Sequence, residues 1–544
     1  MPSSLHLFNT YSRRIEQFRA SDPANVTFYT CGPTVYDDAH IGNFRSFLAA
    51  DVLRRWIESP LCVVANLTGS EHRSASGRTV THVMNITDVG HMTDDAEGGE
   101  SGEDRMAVAG KRIAEAKKSG KLPQGTSIDP SDPYQIARFY EDRFKEDARQ
   151  LGLKLALQAE KDKTLMPRAT ENVAGMIEVV RKLIETNCAY VVGSPGSRVV
   201  YFSVQSFPTY GQLSGNTLDA LREGEGGRIS ASNQSQKKHP ADFLLWKEDP
   251  SHIMKWDSPW GKGYPGWHIE CTVMSLGRLS ASGHGANGVS GSPLIDLHSG
   301  GEDNIFPHHE CEIAQSCCAY SGGKGSFAAM WFHPRFLLVE GTKMSKSKGN
   351  FFTARDLFAK GVEPAAVRLE LIKTHYRSNA NFTMQGLTDS QRMIDRWRRF
   401  EDAAKANSST STNASQAAVQ ERAREDFAAS LHDDLNIAGA IAAVNTYVGA
   451  VESPNASDLG VLKLFDDVLG VLSLHRPQSA ATEIGVWAPG LTPDPAVEAL
   501  LMQRRDARAA KDFKASDVIR DTLASMGFAI KDMAGGKVEV RRTS

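Results

Sequence analysis

Residues Val26–Asn43 read VTFYTCGPTVYDDAHIGN. Val26–Cys31 alternates aromatic and β-branched residues as a buried strand does, and Gly32-Pro33 breaks it. Beyond Ile41 the apolar residues Phe44, Phe47, Leu48, Val52, Leu53 and Trp56 recur on one helical face. Strand, turn and helix in that order predict the opening of a parallel α/β sheet. The helix would begin at His40-Ile41-Gly42-Asn43, where backbone N–H groups favour an anion. Gly42 lacks a Cβ, so a flat base or ribose would fit against it. By itself His40 reads better as a helix cap than as an anion contact.

Far downstream, Gly341–Phe352 reads GTKMSKSKGNFF. Lys343, Lys346 and Lys348 fall within six residues, Ser345 and Ser347 alternate with them, and Gly341 and Gly349 allow a tight backbone. Such a loop suits the β- and γ-phosphates of ATP and the charge that grows as pyrophosphate leaves. A solvated basic turn has the same composition, so the run needs a partner. The upstream element supplies one.

An HIGH-like motif after the first strand, with KMSKS some three hundred residues later, resembles a class I aminoacyl-tRNA synthetase. TCGPTVYDDAHIGN, Gly266–Cys271 (GWHIEC) and Phe306–Glu312 (FPHHECE) are similar to the cysteinyl-tRNA synthetase family in order and spacing. Asn85–Asp88 (NITD), Pro167–Thr170 (PRAT) and Asn350–Asp356 (NFFTARD) support this. The resemblance runs the length of the chain.

The resemblance implies a zinc ion, one per subunit, held by Cys31, Cys271, His308 and Glu312. Thiolate, imidazole and carboxylate are all zinc ligands. Pro307 suits a helix's first turn, and His308 and Glu312 then share a face at i and i+4. Read from the residues alone, Cys31 and Cys271 fit a buried core as well, since free cysteine is among the most buried types. Cys311, three residues after His308, rivals Glu312 as a ligand.

The resemblance also implies the substrates and their contacts. These are ATP with Mg²⁺, L-cysteine and cysteine tRNA, joined through a cysteinyl adenylate with the substrate thiolate on zinc. Lys346 and Lys343 would contact ATP, with His40 and Asn43 on the phosphates' other side. The family's common pattern has a second His where Asn43 stands; Asn donates a hydrogen bond but carries no charge. Asp303, in His298–Asp303 (HSGGED), would accept from a ribose hydroxyl. Trp267, His268, Gly32 and Thr87 would line the cysteine pocket, and Gly42 the nucleotide.

The expected architecture is α/β: a Rossmann-like parallel-sheet catalytic domain with an inserted connective unit, then a helical bundle and a small C-terminal anticodon-binding domain. Residues 1–150 and 260–340 form the halves of the sheet, around an acceptor-stem-facing insert over 151–259. Within that insert Met176, Ile177, Val180, Leu183 and Ile184 repeat at helical spacing. The KMSKS and stem-contact region spans 341–405, the bundle 418–475 and the C-terminal region 485–544. Ala406–Ala417 (ANSSTSTNASQA) reads as a linker and domain boundary. Residues 501–544 hold ten Lys/Arg against six Asp/Glu, with Arg504, Arg505, Arg508, Lys511 and Lys514 along one expected helix. That face suits phosphates, or solvent alone. Leu67–Arg78 interrupts a helix-to-strand connection, Asp94–Asp104 (DDAEGGESGED) is an acidic loop, and Ser280–Pro293 is a Gly/Ser-rich one.

Composition sets the remaining bounds. The 544 residues are 41% apolar and 23% charged with a net charge of −3, which suits a large multidomain enzyme and gives no global nucleic-acid signature. Seven cysteines are an odd number for a disulfide framework. No apolar run approaches the about 20 residues that span a bilayer, and the N-terminus lacks a signal peptide's apolar core, so a cytoplasmic protein without membrane contact is expected. The family implies a monomer. Cysteine ligases with an amino-sugar acceptor resemble the catalytic half but end soon after it, whereas this chain continues through a bundle and a basic tail. A silent RNA-binding paralogue would have no use for both KMSKS and HIGN.

Overall fold

The structure is a computed structural model. It describes residues 3–92, 103–123, 125–216, 236–279, 293–323, 325–345, 349–474, 484–488, 491, 494–509, 512–533 and 537–543. The acidic stretch 94–102 and the Gly/Ser-rich 280–292 lie outside them. Two compact units divide the chain, Met1–Leu474 and His475–Ser544.

At the heart of the first unit is a four-stranded sheet ordered Ala328–Phe332, Ile295–Ser299, Asn25–Thr30, Thr79–Met84, with every neighbouring pair parallel. The chain leaves Asn25–Thr30 in one direction and later returns to its other side. The carboxyl ends of Asn25–Thr30 and Ile295–Ser299 therefore flank the topological switch point, where such sheets bind ligands. Helix Ile41–Glu58 makes the first crossover and buries Phe44, Phe47, Leu48, Val52, Leu53 and Trp56. The apolar stripe expected from periodicity is the buried one.

Between the sheet's halves, helix Val173–Glu185 buries Met176, Val180 and Leu183. It precedes an antiparallel sheet ordered Gly263–Pro265, Phe243–Glu248, Val199–Phe202, Ala189–Val192. Its last strand thus lies beyond residue 259. Asn85–Asp88 meets Pro167–Thr170 directly: Ile86 N–H donates to the Pro167 carbonyl at 2.8 Å, and Thr170 Oγ1 to Asp88 Oδ2 at 2.6 Å.

Three local expectations change. Leu67–Arg78 does more than interrupt a connection, because Glu71–Arg73 pairs antiparallel with Val63–Asn66. Buried Arg78 anchors the excursion by donating to the carbonyls of Pro23 (3.0 Å) and Ile57 (2.7 Å). Ala406–Ala417 is an exposed connection inside the first compact unit, not a boundary between units. Helices Met384–Ala406, Ala414–His432, Ile437–Ala450 and Ala456–Leu469 share one core through Trp397, Phe427, Tyr447 and Phe465. Low complexity marks where side chains meet solvent, which is not always where packing stops. The basic C-terminal residues do not share one helix, since Pro495–Ala509 and Phe513–Ser525 are separate.

The second unit pairs strand Val538–Arg542 with Gly485–Trp487 in parallel and with Phe528–Asp532 in antiparallel. Ile484, Val497, Leu501, Leu523, Phe528, Val538 and Val540 form its core. Arg504 is 2% exposed and grips Asp532 with two hydrogen bonds of 2.6 and 3.0 Å, so it belongs to this fold rather than to a phosphate-facing surface. Lys514 is exposed, and Lys511 lies outside the described residues.

Candidate metal centre and nucleotide cleft

Cys31 directly follows strand Asn25–Thr30, and its N–H donates to the Ser299 carbonyl at 2.9 Å, across the switch point. Cys271 lies in helix Trp267–Leu279. The entry to that helix needs Gly266, because a Cβ there would meet the Leu244 carbonyl oxygen at 2.1 Å. His308 and Glu312 come from the segment that runs into helix Glu310–Tyr320. Phe306 is extended (φ −139°, ψ 133°), so helical backbone resumes with Pro307 in its first turn.

The four donors converge. Cys31 Sγ lies 3.8 Å from Cys271 Sγ and 3.4 Å from Glu312 Oε1. His308 Nε2 lies 3.4 Å from Cys271 Sγ and 3.0 Å from Glu312 Oε1. All four donor atoms fall within 4.8 Å of one another. Around zinc, with Zn–S of about 2.3 Å and Zn–N or Zn–O of about 2.0–2.1 Å, tetrahedral geometry puts ligand atoms about 3.3–3.8 Å apart. The donor set fits zinc in both chemistry and spacing.

At the centre of the pocket the Glu312 carboxylate faces a proton-holding His308, with neutral imidazoles around them. Burial opposes ionisation of Glu312, but His298 and His308 outweigh it and hold the carboxyl at about 2. For His308 burial favours the neutral form, yet Cys271 and Glu312 overcome this and raise it to about 10. Burial pushes the Cys31 thiol up; for Cys271 burial is outweighed by hydrogen bonds from Cys31 and His308, which lower it. His268 and His309 are driven well below the usual range by burial first, and His333 to about 3 by the same cause. A bound cation would take the place of the proton that His308 holds between Cys271 and Glu312.

Sequence spacing does not disclose a second donor set: Cys31, His298, His309 and Glu312 also lie within 4.8 Å of one another. His309 Nε2 approaches Cys31 Sγ at 3.2 Å, and its Nδ1 contacts His333 Nε2 at 2.7 Å. His298 Nε2 lies 2.9 Å from Glu312 Oε2. His309 and Glu312 stand at i and i+3, neighbours on a helix as His308 and Glu312 are at i and i+4, so one turn offers both imidazoles. The adjacent His-His pair is the one signal of it in the sequence. Cys311 belongs to neither set; its thiol lies 3.5 Å from the Tyr210 hydroxyl.

Trp267 stacks on His308 with centroids 4.3 Å apart, and His268 Nδ1 meets His308 Nδ1 at 2.9 Å. Such a contact fixes which imidazole nitrogen faces the centre. Gly32 sits where a Cβ would strike the Asn85 carbonyl oxygen at 1.9 Å. Thr87 is fully buried, with its hydroxyl 3.1 Å from Glu270 Oε2. Asp303 is exposed beside Gly301, in the turn after the Ile295–Ser299 strand.

The two class I-like motifs touch. Ile41 N–H donates to the Phe352 carbonyl at 3.0 Å, His40 bridges Thr353, and the rings of His40 and Phe351 meet edge-on at 5.4 Å. Asn43 has a local role. Its N–H donates to His40 Nδ1 and its Oδ1 accepts from His40 N–H, both at 3.1 Å, closing a reciprocal cap. The face of Gly42 expected to receive a base or ribose instead meets Met344, whose methyl would lie 2.7 Å from an added Cβ. Lys343 is exposed, in the short strand Thr342–Lys343. Lys346 lies outside the described residues. Asn350 closes the base of the loop: its Oδ1 accepts from Ser345 N–H at 2.9 Å, and its Nδ2 donates to Thr342 Oγ1 and the Lys343 carbonyl at 3.0 and 3.2 Å.

No helix among the described residues is long and apolar enough to cross a membrane. Residues 17–392 match the class I (C) tRNA synthetase catalytic domain, and residues 489–541 the cysteinyl-tRNA ligase anticodon binding domain. The cysteine–tRNA ligase of Salinibacter ruber is 37% identical over 582 residues, covering 100% of this chain and 99% of that relative. That of Chlorobaculum tepidum is 37% identical over 551 residues, 98% of each. In fold the chain is similar to the agnB2 LeuRS of Agrobacterium radiobacter K84, solved as a ternary complex with tRNA and LeuAMS (TM-score 0.52, 11% identity, 97% of both chains). With both domain matches in chain order and relatives aligned from end to end, the chain belongs to the cysteine–tRNA ligase family of class I aminoacyl-tRNA synthetases.

Proposed function

We propose that this protein ligates L-cysteine to cysteine tRNA through a cysteinyl adenylate, with zinc held by Cys31, Cys271, His308 and Glu312. The convergence of those four donors at the carboxyl edge of the parallel sheet carries the reading. When bound, zinc would supply the Lewis acidity that holds the substrate sulfur as a thiolate, a form the serine hydroxyl does not match. Shape alone separates such close analogues poorly.

The chain's own groups would do the rest by positioning. Trp267 and His268 fix the His308 ring, and Gly32 and Thr87 form the adjoining wall of the cysteine pocket. His40 and Asn43, at the start of helix Ile41–Glu58, face the phosphates from one side. Lys343 and Lys346 approach from the other, and Asp303 accepts from a ribose hydroxyl. The cysteine carboxylate attacks the α-phosphorus of Mg²⁺-bound ATP, forming the mixed anhydride as pyrophosphate leaves. Cationic side chains and Mg²⁺ offset the charge that grows on the departing oxygens. The terminal ribose hydroxyl of tRNA then attacks the carbonyl carbon, and AMP departs. The hydroxyl proton is lost to the departing phosphate or to water, and no side chain is assigned as a general base for it.

Amino-acid-dependent ATP–pyrophosphate exchange tests this, with cysteine against serine, valine and no amino acid. Exchange with cysteine alone, followed by charging of cysteine tRNA, is the expected result. Absence of exchange from zinc-loaded protein would refute it.

A further inference from the structure

The donor cluster rests on a chain of hydrogen bonds that links three of the quoted motifs, TCGPTVYDDAHIGN, NITD and GWHIEC. Gly32 N–H donates to Asn85 Oδ1 at 2.7 Å. Asn85 Nδ2 donates to Thr87 Oγ1 at 2.9 Å, and Thr87 Oγ1 donates to Glu270 Oε2 at 3.1 Å. Glu270 Oε1 meets His91 Nε2 at 2.7 Å. Asn85, Thr87, Glu270 and His91 are all 4% exposed or less, and Glu270 is wholly enclosed. Two of its members abut the sulfur ligands: Gly32 follows Cys31, and Glu270 precedes Cys271.

A buried carboxylate is costly unless hydrogen bonds hold it, so its presence here needs a reason. Direction supplies one. Thr87 has one hydroxyl proton, and it must go to Glu270 because Asn85 already donates to its oxygen. The asymmetric chain therefore has one arrangement, and it sets the separation of two backbone segments that share no secondary structure. Those segments carry the two sulfur donors, 3.8 Å apart.

We propose that Glu270, acting through Thr87 and Asn85, is a positioning residue that sets the spacing of Cys31 and Cys271 and so tunes the metal-held thiolate site. The proposal rests on the zinc reading above. Outer-shell partners of metal ligands typically change metal affinity by about 10–100-fold when removed.

The test uses the full chain titrated with Co²⁺, whose d–d spectrum reports ligand geometry without any turnover. Thr87→Val is nearly isosteric and cuts the link, Glu270→Gln weakens it, and Thr87→Ser restores the hydroxyl. Thr87→Val is expected to bind Co²⁺ about tenfold more weakly with shifted d–d bands, while Thr87→Ser matches the wild type. Wild-type Co²⁺ affinity and spectrum in both Thr87→Val and Glu270→Gln would overturn the proposal. A parallel exchange assay expects a raised KM for cysteine with KM for ATP unchanged. Equal rises in both would also count against it. A wild type inert in exchange would refute the proposed activity, while the cobalt comparison would still decide the positioning role.

Discussion

Asn350→Ala isolates the part of the phosphate loop that can be reasoned from structure. The side chain makes three hydrogen bonds that tie Thr342, Lys343 and Ser345 together on the near side of Lys346. Asn350 is only half-buried, so water replaces part of what is lost. Three bonds of about 0.5–1 kcal/mol each, net of solvent, sum to about 2 kcal/mol. If that energy holds the loop against the growing negative charge of pyrophosphate, it appears in the transition state and lowers kcat about thirtyfold. Cysteine-dependent ATP–pyrophosphate exchange is the assay, with zinc content and the KM for cysteine unchanged as internal controls. Asn350→Asp keeps the acceptor for Ser345 and loses both donors, so its kcat should fall between the two. An Asn350→Ala enzyme within twofold of wild-type kcat would show that the loop's geometry does not depend on this clamp.

Cys271→Ala is expected to weaken zinc binding by about a hundredfold, since four ligands share an apparent 10–16 kcal/mol. Cysteine binding should fall with it, whereas Cys311→Ala should retain zinc; the reverse pattern by metal analysis would exchange their roles. Burial pushes His432 from 6.5 to about 4, and Val63 N–H donates to its Nε2 at 3.0 Å, which requires that nitrogen unprotonated. Between those values the unfolded imidazole binds a proton that the folded one does not. Stability therefore falls by about 3 kcal/mol as pH drops through that window. Urea midpoints at pH 7 and 4.5 should separate less in His432→Gln than in wild type; equal separations would exclude the assignment. Arg504→Ala should destabilise the C-terminal unit by about 1–3 kcal/mol, seen as faster hydrogen exchange over 494–532. Lys514→Ala should instead leave exchange unchanged and reduce the salt slope of tRNA binding by about one; interchanged effects would restore Arg504 to the RNA surface.

Periodicity and local grammar make much of this molecule legible in its sequence. The apolar stripe from Phe44 to Trp56 needs only a helix and one adjacent surface, and strand-turn-helix order over Val26–Asn43 implies a parallel sheet with its ligand edge after Thr30. Those inferences depend on neighbours in sequence, whose geometry the backbone dictates. Cys31, Cys271, His308 and Glu312 are expected as a set from the resemblance and not from any spacing between residues hundreds of positions apart. Which donors share a centre is a matter for tertiary structure. Strand Ile295–Ser299 docks beside Asn25–Thr30, and the turn that begins after the kink at Phe306 brings His309 as well as His308 to the donor cluster. Cys311 meets Tyr210 instead. Likewise Arg504 looks like its basic neighbours in sequence, and only the fold gives this helical residue Asp532, from strand Phe528–Asp532, as a partner. Composition and spacing determine what a segment can form and which chemistry it offers. Which side chains end within about 4 Å of one another depends on long-range packing, because burial and pairing are properties of the partner surface and not of the segment that carries the residue.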